Sequence, residues 1–150
     1  MNERITLISG LPASGKSSLA KSLGGKVLEF DSIVKKFGSY EEMNEEWETA
    51  LKHFQLMVQF GGFDIVVDNF NTKKSRQNIT SVLSFKPDII LVRCPVEECI
   101  RRNNLRLKSM VSNEKILKMY WLFEPVCKNE GFNSILIYDS LTNALKGGIV

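Results

Sequence analysis

The segment Gly10-Leu11-Pro12-Ala13-Ser14-Gly15-Lys16-Ser17 has the spacing G-x-x-x-x-G-K-[ST], a pattern whose residue types are suited to holding phosphate. Gly10 and Gly15 permit a tight turn that aims successive backbone N–H groups at one anion, and a helix opening there adds the positive end of its dipole. Lys16 supplies a cation for the β- and γ-phosphates of a nucleotide, and Ser17 supplies a hydroxyl ligand for Mg²⁺. Gly10, Pro12, Ala13, Ser14, Gly15, Lys16, Ser17 and Ser18 are therefore the candidate nucleotide cradle, for ATP or GTP. The alternative is a chance glycine-rich turn. Against it stands the context, an apolar run at 5–9 before the loop and helix-forming residues at 17–23 after it.

Two acids come next. Asp31 follows Val27-Leu28-Glu29-Phe30 and Asp68 follows Ile65-Val66-Val67, so both close short apolar runs that read as strands. A carboxylate at such a place accepts the proton of an attacking hydroxyl or holds a Mg²⁺-bound water. An Asp after a strand is also an ordinary turn or helix-cap residue, and two of them in one chain with the loop favour chemistry. Arg101, Arg102 and Arg106 lie in and after a helical stretch, ahead of 107–112. A guanidinium closing over phosphates from there stabilises transition-state charge, whereas a basic helix face in water is the plain alternative.

These residues need elements to position them. Strands are expected at 5–9, 27–30, 64–67, 88–92 and 134–138, each continuous enough in apolar residues for a sheet covered on both faces. Helices are expected at 17–23, 41–60, 72–85, 96–106 and 113–123, long enough to cross between parallel strands. The result is a doubly wound α/β domain with a five-stranded, mostly parallel sheet, helices on both faces and a helical lid at about 101–115. Ligands in such sheets gather outside the carboxyl ends of the strands, where Asp31 and Asp68 sit. Pro87 and Pro95 punctuate the fourth strand at both ends. The terminal Lys146-Gly147-Gly148 reads as a frayed end.

The 150 residues fit one compact domain, 1–150, and neither a repeat nor a linker divides them. No segment approaches the roughly 20 apolar residues that cross a bilayer, and the first residues do not read as a secretory signal. No membrane association and a cytoplasmic location are the expectation. Cys94, Cys99 and Cys127 are odd in number and lack a Cys-x-x-Cys spacing, which points to reduced, packed thiols. The net charge of +3 is modest, yet positive residues gather at Lys35-Lys36, at Lys73-Lys74 with Arg76, and at Arg101-Arg102 with Arg106 and Lys108. His53, the only histidine, is assigned a structural or surface role, and Trp47, Trp121 and Phe123 a place in the core or an interface, with base stacking left open for Trp121.

From end to end the chain resembles the kinase domain of polynucleotide 5′-hydroxyl kinases of the bacteriophage and DNA-repair type. The resemblance rests on the loop 10–17, Asp31, the block Asp68-Asn69-Phe70-Asn71, the block Arg102-Asn103-Asn104-Leu105-Arg106, and Phe123-Glu124-Pro125 followed by Glu130-Gly131-Phe132. It implies a P-loop NTPase fold and transfer of the γ-phosphate of ATP to the 5′-hydroxyl of a DNA or RNA end, by a kinase without an accompanying phosphatase domain. By the same resemblance Lys16, Asp31 and Arg106 are catalytic, with Asp31 the general base and Arg106 the lid arginine. Arg102 joins the nucleotide contacts. Asp68 lies near acceptor and metal, Asn71 belongs to the same block, and Arg76 matches a basic residue that contacts a substrate phosphate.

Three departures concern the acceptor, one being that the segment before Phe123-Glu124-Pro125 is shorter than in the repair enzymes. Val34 stands where the bacteriophage enzymes carry a substrate-binding arginine, leaving Lys35 or Lys36 as the candidate replacement, and Phe70 stands in place of a threonine. Two other readings therefore stay open, a kinase for small hydroxyl compounds such as a nucleoside, antibiotic or metabolite, and a nucleotide-dependent binding or switch protein. The sequence leaves oligomeric state undetermined.

Overall fold

The computed structural model describes residues 4–36, 46–106 and 111–147. Six strands form one sheet in the order β2-β3-β1-β4-β5-β6. They are β1 (Thr6–Ser9), β2 (Val27–Glu29), β3 (Ile65–Val67), β4 (Asp88–Arg93), β5 (Ser134–Asp139) and β6 (Ala144–Gly147). The first five are parallel, with β1 paired to both β3 and β4 and with β4 paired to β5. The sixth is antiparallel to β5, pairing Ile137 with Lys146 and Leu136 with Gly147. Residues 146 and 147 are thus a paired edge rather than a frayed end, because β5 leaves one edge open and β6 turns back to pair with it. The sheet has six strands instead of the expected five for the same reason.

Side chains along each strand alternate between two cores, as the two-residue period of a pleated strand requires. Leu7, Leu28, Val66 and Ile89 face one core, which α2 (Phe30–Val34), α3 (Trp47–Phe60) and α4 (Lys73–Thr80) cover with Phe30, Ile33, Val34, Phe54, Val58 and Ile79. Ile8, Ile65, Val67, Ile90 and Val92 face the other, which α1 (Lys16–Leu23) covers with Leu19 and Ala20. Strands buried on both faces explain why their sequences read as continuous apolar runs.

The expected helices are present with shifted ends. Residues 41–45 of the expected helix 41–60 lie outside the described residues, and α3 runs from Trp47 to Phe60. Thr72 caps α4 through a capping box with Ser75, so the helix begins one residue later than 72 and ends at Thr80. The last two helices are α5 (Val96–Asn104) and α6 (Asn113–Trp121), the latter capped by Ser112. Phe30 does not extend β2 but opens the short helix α2 directly, which sets Asp31 in that helix's first turn. The three cysteines are free thiols, and burial pushes the Cys99 thiol up to about 12, far from reactivity.

The chain leaves β1, visits β2 and β3 on one side, then crosses to β4 on the other. That reversal opens a crevice at the carboxyl end of β1, where the glycine-rich loop begins.

Candidate active site

The loop between β1 and α1 has the backbone its glycines allow. Gly15 is at φ +104° and serves as the N-cap of α1, while Ala13 is held at φ +64°, a left-handed conformation uncommon outside glycine. A Cβ at Gly10 would stand 2.6 Å from Ser14 Oγ and 3.2 Å from Lys16 Cγ, so a larger residue there would displace the Ser14 hydroxyl inside the loop. Gly10 N–H donates to Asn69 O (3.2 Å) and Ser9 Oγ donates to the same oxygen (2.7 Å), which ties the loop to the segment after β3. The first turn of α1 contains no acidic residue and receives no side-chain cap. Its N–H groups and dipole are thus available to an anion.

Lys16 folds over this loop. Its ammonium donates to Gly10 O (2.7 Å), Leu11 O (3.0 Å) and Asn69 Oδ1 (2.9 Å). Burial pushes its pKa down to about 8, against the pull first of Asp68 and then of Asp31, with the charge of Arg106 acting in the same direction as burial. Asp68 moves the opposite way. Burial raises its carboxyl to about 6, opposed by the Asn69 N–H that it accepts and by Lys16, and helped by Asp31. The three groups therefore feel one another's charge.

One cleft brings four of the expected residues together, Lys16, Ser17, Asp31 and Asp68, and is lined as well by Glu29, Val67 and Asn69. Two of these were not singled out by sequence. Glu29 meets the Ser17 hydroxyl from the end of β2, and its only sequence signal is that it is the sole polar residue in that strand. Asn69 links Lys16 to α6, since its Nδ2 donates to Met119 Sδ (3.4 Å). Its signal was a place beside Asp68 in the block.

Helix α5 contributes Arg102. Its Nη1 donates to Ser14 O and to Ser140 Oγ, each at 3.3 Å, while Glu98 accepts from its Nε at 2.8 Å, so the guanidinium lies over the loop. Arg106 is exposed at the end of α5 and near enough to act on Lys16. Arg101 instead pairs with Glu98 on the outer surface. Residues 107–110 of the expected lid 101–115 lie outside the described residues; across them Asn103, fully buried, donates to Val111 O (2.6 Å) and accepts from Val111 N–H (3.1 Å).

Other expected residues are not in the cleft. Arg76 is the clearest correction: it is wholly buried, not at a substrate phosphate. Its guanidinium donates to both oxygens of Glu130 (2.7 and 3.2 Å), to Phe70 O (2.8 Å) and to Glu124 O (2.8 Å), and five donors in a fixed fork leave little for a ligand. Those bonds clamp Phe70 at φ +48°, a backbone outlier for an aromatic residue, and so hold Asp68, Asn69 and Asn71 on either side of it. Asn71 borders the cleft rather than lining it, donating to Met119 O (3.4 Å) and accepting from Glu124 N–H (2.7 Å). Lys35 is exposed just after α2 and does not line the cleft, and Val34 packs inward in the core.

Nucleotide and metal fit these residues. Ser14 Oγ is buried without a hydrogen-bond partner inside the loop, beside the open first turn of α1, as a phosphate oxygen would require. No group of three or more His, Cys, Asp or Glu side chains able to hold a metal is present among the described residues.

The solved structures that the chain resembles share this fold. A sugar kinase from Janibacter sp. HTCC2649 superposes with a TM-score of 0.67 at 14% identity, covering 92% of this chain and 86% of that one. A gluconokinase from Sinorhizobium meliloti 1021 gives 0.66 at 12%, covering 92% and 83%. A chain of the Pnkp1/Rnl/Hen1 complex gives 0.57 at 14%, covering 98% of this chain but 46% of that one. No curated protein sequence matches. The chain is thus a kinase-like P-loop domain in fold, and no described helix is long and apolar enough to cross a membrane. Residues 5–126 match the sequence profile of the AAA domain family, and the chain belongs to that family.

Proposed function

We propose that the chain is a phosphotransferase that moves the γ-phosphate of ATP to the 5′-hydroxyl of a DNA or RNA end. The observation that carries this reading is the shared cleft of Lys16, Ser17, Asp31 and Asp68 at the carboxyl ends of β1, β2 and β3. Phosphoryl transfer needs positioning and charge more than covalent chemistry, and these residues supply both. The loop N–H groups and Lys16 hold the β- and γ-phosphates, the ammonium exchanging its carbonyl partners for phosphate oxygens. Ser17, with Asp68 near by, would hold Mg²⁺, which would supply positive charge to those oxygens. Asp31 accepts the proton of the acceptor hydroxyl as its oxygen bonds to the γ-phosphorus and the bond to the β-bridging oxygen breaks, leaving ADP. Arg102 over the loop and Arg106 near Lys16 stabilise the charge of the transferring group.

The acceptor class is supported by the ordered motif blocks and by rings at the end of α6. Tyr120 (46% exposed) and Trp121 (78% exposed) end α6, the helix whose Met119 touches both Asn69 and Asn71, and their exposed rings are suited to base stacking. The second reading, a kinase for a small hydroxyl compound, is favoured by Val34, which is buried and offers an acceptor phosphate no cation. Transfer from γ-labelled ATP to matched DNA, RNA, 3′-mononucleotide, nucleoside and sugar acceptors decides between them. The polynucleotide reading expects label on 5′-hydroxyl strands; label on a sugar or free nucleoside alone would establish the second.

A further inference from the structure

Glu29 ends β2 two residues before Asp31, half-buried, and its carboxylate accepts the hydrogen bond that Ser17 Oγ donates. This bond has a chemical consequence. A serine hydroxyl has one proton and two lone pairs. With the proton committed to Glu29, Ser17 can offer an incoming group only lone pairs, and lone pairs suit a cation rather than a phosphate oxygen. Glu29 itself lines the same cleft, and a carboxylate accepts from more than one donor. A hard cation that keeps most of its waters presents such donors.

From this geometry we infer that Glu29 belongs to the metal site. It fixes Ser17 as a lone-pair ligand, and its carboxylate receives the waters of a Mg²⁺ that Ser17 and the nucleotide phosphates hold. The inference rests on the nucleotide site and is independent of the acceptor's identity. A purely structural role is the competing account: α1 has no acidic residue in its first turn, and Glu29 sits where one would favour the helix dipole. The two accounts differ in their dependence on metal. A dipole partner acts whether or not metal is present; an outer-shell ligand acts only through the metal, and its loss typically lowers metal affinity about 10- to 100-fold.

The test is isothermal titration of ATP into the wild-type protein and into Glu29→Gln, Glu29→Ala and Glu29→Asp, each with Mg²⁺ and with a chelator. We expect the gain in ATP affinity conferred by Mg²⁺ to fall about tenfold or more in the Gln and Ala variants and to be partly restored in Asp, with chelated affinities unchanged or tighter. Mn²⁺ electron paramagnetic resonance of the ATP complex should show weaker Mn²⁺ retention in Glu29→Gln. If the Ala variant fails to fold, the near-isosteric Gln variant and the Mn²⁺ spectra decide. A metal-conferred gain equal to wild type in the variants would overturn the role of Glu29 while leaving the nucleotide site standing. Absence of ATP binding by the wild-type protein would overturn both.

Discussion

At the scale of single residues, Lys16 and Asp68 are the cleft groups whose burial moves their titration toward neutral pH. Burial holds Asp68 near 6 and Lys16 near 8, and each keeps the other charged. The sign of each effect follows. Asp68 gains its charge as pH rises through about 6, and Lys16 loses its charge as pH rises through about 8, so kcat/KM for ATP should be bell-shaped between those limits. Asp68→Asn should remove the acid limb. Because Asp68 pulls the Lys16 pKa upward, the same substitution should also shift the basic limb to lower pH. A pH–rate profile measured on both proteins checks this, and a basic limb that stays in place would separate the two groups. The loop residues around Lys16 were legible in the sequence because a phosphate cradle fixes residue type at fixed spacing. Glu29 was not legible, since a lone acid at the end of a strand has many uses and only the folded contact with Ser17 selects one.

At the scale of elements, the strands and helices were legible because period and punctuation are local properties. The direct passage from β2 into α2 and the antiparallel β6 were not, as each depends on what the neighbouring strand leaves unpaired. Arg76 shows the same limit more sharply. In sequence it is a cation near the start of a helix, and nothing in its spacing reveals that Glu130, 54 residues away, closes on it. In the fold it joins α4 to the loop after β3 and to the segment 123–130. Arg76→Ala would leave Glu130, whose side chain is 12% exposed, as a buried charge without its partner. The expected cost is about 3–5 kcal/mol in urea denaturation. A substitution that left stability intact and only raised the acceptor KM would return Arg76 to the substrate.

At the scale of the whole molecule, the strand order brings the ends of β1, β2 and β3 together, and with them residues distant in sequence such as Lys16, Asp31 and Asp68. The sequence made this gathering legible through the rule that ligands sit at the carboxyl ends of parallel strands, but the acceptor lies outside what that rule decides. Charge offers a handle. If a strand's phosphates meet the basic residues beyond the cleft, the oligonucleotide KM should rise with KCl, log KM gaining about 0.7 per log unit of salt for each phosphate engaged, whereas a 3′-mononucleotide should respond weakly. A flat dependence for both would confine recognition to the cleft.

The most direct test of the central claim is transfer of label from γ-labelled ATP to a 5′-hydroxyl oligonucleotide by wild-type, Lys16→Ala and Asp31→Asn proteins, beside ATP binding by each. The account predicts labelled 5′ ends with the wild type alone, and ATP still bound by Asp31→Asn, whose loop is intact. Label transferred at the wild-type rate by Asp31→Asn would contradict the general base, and no label on any oligonucleotide, with transfer to a small hydroxyl compound instead, would contradict the polynucleotide acceptor.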